Sequence, residues 1–118
     1  MPVTPTVVAT GAQAATVGTT KHTLDSGASP HTTDGIFVLR VDVNVLVALD
    51  SIEFFVTEEV ENSSGTARDQ LIGEMAGEQG VDNDWWHSPP FLLANGWDFK
   101  LRQPTGTSRT FPWSIWQV

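Results

Sequence analysis

The sequence predicts an all-β fold: an antiparallel β-sandwich, jelly-roll or immunoglobulin-like, with an extended N-terminal arm. Three observations predict it. Residues 97–103 alternate, with Trp97, Phe99, Leu101 and Gln103 pointing one way and Asp98, Lys100 and Arg102 the other. That period of two is what a strand with one buried face requires. Residues 35–43 and 52–60 repeat the period. Turn residues separate the runs, giving six to eight short strands at regular spacing, the spacing of sandwiches and barrels. At 118 residues the chain has the length of one domain, a size that buries roughly two thirds of its unfolded surface.

Residues 1–20 carry no charged side chain and are mostly Thr, Ala, Val, Gly and Pro. Side chains this small do not build a core of their own. The segment is therefore set apart as an arm, with residues 21–118 as the sandwich. Its Thr and Val content suits it to lie along another surface and add a strand there. Residues 21–33 hold a first strand and a loop around Gly27 and Pro30. The clearest core strand follows, with Phe37, Leu39, Val41 and Val43 on one face and Ile36, Val38, Arg40 and Asp42 on the other.

Val45 to Asp50 reads as one turn of helix or a corner joining two strands. In the next strand Ile52, Phe54, Val56 and Val60 share a face. Asn62-Ser63-Ser64-Gly65-Thr66 is turn chemistry, so residues 51–75 read as a hairpin. Residues 67–78 mix helix formers with glycines. Gly73, Gly77 and the preceding turn favour a strand. Ser88-Pro89-Pro90 breaks the apolar run 85–94, because prolines supply no ladder donor, which predicts an edge strand or a bent segment. Asn95-Gly96 predicts a two-residue hairpin turn. The run 97–118 predicts a closing hairpin around Pro104 and Gly106.

Charge and composition exclude several functions. The net charge is −8, and residues 42–84 hold eleven acids against one base, Arg68. An acidic module repels nucleic acid. The chain has no cysteine, which removes disulfides and thiolate metal sites. No apolar run is long enough to span a membrane, and the first residues lack the pattern of a signal peptide. His22, His31 and His87 match no zinc spacing. Asp82-Asn83-Asp84 lacks the glycine and distal glutamate of a calcium loop. No nucleophile elbow, phosphate loop or dinucleotide fingerprint occurs. The expectation is a non-enzymatic protein with no cofactor.

The five tryptophans are the remaining candidates. Trp85 and Trp86 are adjacent, so a regular strand cannot turn both to one core. Trp97 and Trp113 read as core. Trp86 and Trp116 read as interface residues, since interfaces enrich large aromatics. With Val3, Val7 and Val8 of the arm they form the predicted contact set.

Two stretches also carry a resemblance. Phe99-Lys100-Leu101-Arg102-Gln103, followed by Gly106-Thr107-Ser108-Arg109-Thr110-Phe111-Pro112-Trp113-Ser114-Ile115-Trp116, resembles the C-terminal signature of small tailed-bacteriophage virion proteins. The strand Phe37–Val43, the corner ending in Asp50, the strand Ile52–Glu59 and the turn Ser64–Arg68 are similar too. Arg102 stands where the pattern has Lys, and the corner Ala48-Leu49-Asp50 lacks its Gly-Asp. The resemblance spans residues 34–118. It implies a virion structural protein, most like a capsid decoration (cement) protein on the outer shell. Its implied partners are the major capsid protein and further copies of itself, as a homotrimer. A head–tail connector or tail protein, and a carbohydrate-binding module on the virion surface, are the alternatives.

Overall fold

The computed structural model describes residues 4–59, 66–80, 82–94 and 96–118. They form two antiparallel sheets, A and B, built from nine strands. These are β1 (Thr6–Ala14), β2 (His22–Thr23), β3 (Gly35–Asp42), β4 (Ser51–Glu59), β5 (Ala67–Ala76), β6 (Trp85–His87), β7 (Phe91–Leu93), β8 (Trp97–Arg102) and β9 (Thr110–Gln117). Sheet A runs β1-β9-β3, with β6 and β7 both on the far edge of β3. Sheet B runs β2-β8-β4-β5. A single 3-10 turn, Ser26–Ala28, is the helical content among the described residues.

The alternation seen in the sequence is what closes the sandwich. Phe37, Leu39 and Val41 of β3 and Phe111, Trp113 and Ile115 of β9 face inward from sheet A. Ile52, Phe54 and Val56 of β4 and Trp97, Phe99 and Leu101 of β8 meet them from sheet B. Each fully buried large side chain contributes roughly 1.5–3 kcal/mol by leaving water. Residues 67–76 are strand β5, paired along β4 from Glu59↔Ala67 to Ser51↔Ala76. The turn that joins these strands lies outside the described residues.

Three expectations need correction. Residues 97–118 are not a hairpin: β8 pairs with β2 and β4, whereas β9 pairs with β1 and β3. The loop between them is an arch that carries the chain across the core. Likewise β7 belongs to sheet A and β8 to sheet B, so the link at Gly96 crosses between sheets instead of turning within one; Asn95 lies outside the described residues. Asp98 was expected to face solvent but is buried, because the loop before β3 folds over it and His31 bridges to Trp97.

The arm is also used differently. Its β-propensity serves this chain's own sheet, as β1 pairs with β9 from Thr6↔Gln117 to Ala14↔Thr110, with a bulge between Val7 and Ala9.

Asp50 ties the arch to the corner that precedes β4. Its carboxylate accepts hydrogen bonds from the backbone N–H groups of Val47 and Thr107 and from Arg109 Nε, each at 3.0 Å. Gly106, at φ 101°, lies so close that a β-carbon there would collide with Asp50. Gln103, fully buried, donates to the Thr107 carbonyl at 2.7 Å and accepts from the Arg109 N–H at 3.0 Å. Residues of the C-terminal signature, Gln103, Gly106 and Arg109, thus hold the arch together.

Candidate functional site: the outer face of sheet A

The two outer faces of the sandwich differ in kind. On sheet B the outward Phe55 is covered: Lys21 Nζ sits 4.5 Å and Arg102 Cζ 5.1 Å from its ring centroid. Both cations are themselves paired, Lys21 with Asp69 and Arg102 with Glu53, each at 2.9 Å. Lys100 also reaches Asp69, at 3.1 Å. Burial raises the pKa of Asp69, but hydrogen bonds from Thr57, Lys21 and Lys100 outweigh it and hold the carboxyl well below the usual range. This face is a network of charges over one aromatic ring, with Leu71 exposed beside it.

Sheet A presents the opposite surface. Strand register sets its composition. Ile36 is paired with Leu92, Val38 with Trp116, Arg40 with both His87 and Ser114, and Asp42 with Trp85. Val7 on β1 stands opposite Trp116 from the other side. The outward side chains are therefore contiguous from β1 across β9 and β3 to β6 and β7. Leu92 is 78% exposed and Trp85 51% exposed, and Val7, Ile36 and Val118 are exposed as well. Scattered apolar residues are ordinary on a surface, but a contiguous patch marks a contact site.

Arg40 organises the centre of the patch. Its guanidinium carbon lies 4.7 Å from the ring centroid of Trp116 and 5.5 Å from that of Trp85. A cation over an indole is worth roughly 0.5–1 kcal/mol at an exposed site, so the three side chains hold one another in place. Trp116 is fixed further by Nε1–H donating to Ser114 Oγ at 2.8 Å. Beside them Arg40, Asp42, Trp85, Pro112, Trp113 and Ser114 line a shallow groove of about 270 Å³. The arrangement is a preorganised apolar platform with one cation at its centre.

The predicted contact residues are placed as follows. Val7 and Trp116 lie on this face. Val8 is exposed within the β1 bulge. Val3 lies outside the described residues. Trp86 faces inward: its indole stacks on Phe54 with centroids 3.9 Å apart and planes 8° apart. Its neighbour Trp85 takes the outward position instead. The sequence required the two to diverge, but the outward position expected for Trp86 belongs to Trp85. Arg40, Ile36, Leu92 and Val118 were not singled out, although apolar residues on both faces of the run 35–43 signalled a second covered surface.

The histidines do not converge, and among the described residues no group of three His, Asp or Glu side chains is arranged to hold a metal ion. His31 is buried at 8% exposure and stacks on Trp97 at 4.4 Å. Its Nε2 lies 2.9 Å from Asp25 Oδ2, and its Nδ1 lies 3.5 Å from Asp98 Oδ1. Ser29 Oγ donates to the other Asp98 oxygen at 2.9 Å. The cluster pins the loop over β8.

Compared with protein-family models, curated proteins and solved structures, the chain matches none.

Proposed function

We propose that this chain is a non-enzymatic structural protein of a tailed-phage virion, a decoration protein that binds the outer capsid surface at capsomer junctions and stabilises the head. The observation that carries the docking role is the contiguous apolar face of sheet A around Trp85, Arg40 and Trp116. A face of paired charges on sheet B and a largely apolar face around Arg40 on sheet A make a two-sided module, one side for water and one for a partner. The virion assignment rests on the resemblance of residues 34–118. The partner is the major capsid protein, and attachment in many copies multiplies modest individual contacts.

Co-sedimentation with capsids of the cognate phage that lack the protein tests this reading. The expected result is binding in high copy number, lost in Trp85→Ala and Leu92→Lys while both variants stay folded. Binding at a few copies per particle moves the protein to the neck or tail. No binding removes the virion reading.

A second reading has its own observation. Trp85 exposes an indole beside Asp42, Ser114 and Arg40, and a flat aromatic flanked by polar groups suits stacking against a sugar ring. Quenching of tryptophan fluorescence by glycans, abolished in Trp85→Ala, would establish that reading; an unresponsive emission across a glycan panel dismisses it.

A further inference from the structure

We propose that β1 pairs edge to edge with β1 of a second copy of this chain, joining two A sheets into one continuous sheet across a twofold axis. A free sheet edge is a row of unpaired N–H and C=O groups, and proteins block such edges with short strands, prolines or charges. Three of the four edges here are blocked in those ways. On sheet B, β2 has two residues. The other edge of that sheet, β5, carries Arg68, Asp69 and Glu74. On sheet A the far edge is two strands of three residues each, β6 and β7, separated by Ser88-Pro89-Pro90.

The remaining edge is open. β1 has nine residues, TVVATGAQA, with no charge and no proline. One side pairs with β9, and among the described residues no strand pairs with the other. Its bulge falls near one end, between Val7 and Ala9, which leaves Ala9–Ala14 in regular register. Thr10, Gly11, Ala12 and Ala14 are exposed and small, so a neighbouring backbone can approach closely.

The occupant follows from charge. Copies of a protein with a net charge of −8 repel each other. They approach most cheaply where acids are absent, and residues 1–20 contain none. A twofold axis sets the same patch against itself. An uncharged antiparallel strand meets that condition with no like-charge pair, which β5 cannot do. The pairing also continues the apolar face, because Val7 lies beside Trp116 at the rim of sheet A. This twofold pair replaces the trimer implied by the resemblance, and it holds whether or not the protein belongs to a virion.

Native mass measurement of the full chain over a wide concentration range tests the proposal. The expected result is a doubling from monomer to dimer mass. Thr10 and Ala12 point outward beside Ser114 and Pro112, so the double variants T10K/A12K and T10E/A12E carry their new charges in solvent. Each alone should remain monomeric with an unchanged circular dichroism spectrum, and an equimolar mixture of the two should recover the dimer mass. Amide hydrogen exchange on the unmodified chain gives an independent readout: β1 amides should gain protection as concentration rises. A wild type that stays monomeric, forms a trimer, or dimerises unchanged in both charged variants overturns the proposal.

Discussion

Trp86 lies across the space that a side chain at position 73 would need. The two residues belong to opposite sheets: Trp86 extends inward from β6 and stacks on Phe54, and Phe54 is paired in register with Gly73 on β5. A β-carbon on residue 73 would be driven into the indole. Gly73→Ala should therefore displace Trp86 and destabilise the fold by about 1–3 kcal/mol, the usual cost of overpacking. Urea unfolding and the position of tryptophan emission check this. Gly80→Ala, where a β-carbon meets open space, is the control. Equal midpoints for the two variants would show that the indole is not held there.

Asp50 connects the corner before β4 to the arch after β8, and its carboxyl is held below the usual range. The Val47 N–H is the largest cause, burial opposes it, and the Thr107 N–H and Arg109 add to the lowering. Asp50→Asn would set an amide N–H₂ against groups that are themselves donors. The expected cost is about 3 kcal/mol, typical of a buried charge network with one partner removed. Thermal unfolding should show a loss of more than about 10 °C in Tm, with the circular dichroism spectrum at low temperature unchanged.

Acid dependence follows from Asp50 and Asp69 together. Both carboxyls titrate lower in the folded chain than in the unfolded one, where Asp titrates near ~3.9. Stability from a lowered carboxyl is complete above the unfolded value and is lost as pH falls through it toward the folded value. The urea midpoint should hold level from neutral pH down to about pH 5 and fall below about pH 4. A midpoint that rises on acidification would contradict both assignments.

His31 and Asp98 should behave as one unit. His31→Ala removes the stack on Trp97 and the imidazole whose Nδ1 lies 3.5 Å from Asp98 Oδ1, a buried oxygen that already accepts no hydrogen bond, at a cost of about 2–4 kcal/mol. A neutral amide is cheaper to bury than a carboxylate. Asp98→Asn made in the His31→Ala background should therefore recover part of the loss. A double-mutant cycle measures this coupling, and additivity would show that the two side chains act separately.

The inward faces of β3, β4 and β8 were legible because a strand buried on one side writes its period into the sequence. Gln103 illustrates how far that goes. The alternation of 97–103 placed this polar residue on the buried phase, but only the fold shows it as the clasp of the arch. The path between strands was not legible. Pro104 and Gly106 suit a hairpin and an arch equally, since both need a tight change of direction. What separates them is whether the next strand stays in the sheet, and that depends on Asp50, more than fifty residues away in sequence. The outer face of sheet A was missed for a related reason. Its side chains come from five strands, and only register brings Val7, Trp116, Arg40, Trp85 and Leu92 together.

The position of β9 between β1 and β3 has a consequence for biosynthesis. Of the nine described strands, the first to leave the ribosome, β1, has its place beside the last, β9. Until residues 110–117 emerge, β1 has no strand neighbour among the described residues and β3 lacks one of its two flanks. Sheet B can pair β4 with β5 locally, while sheet A waits for β9. Ribosome-bound nascent chains should therefore expose β1 to any passing strand, and a stalled product lacking β9 should be a substrate for chaperones.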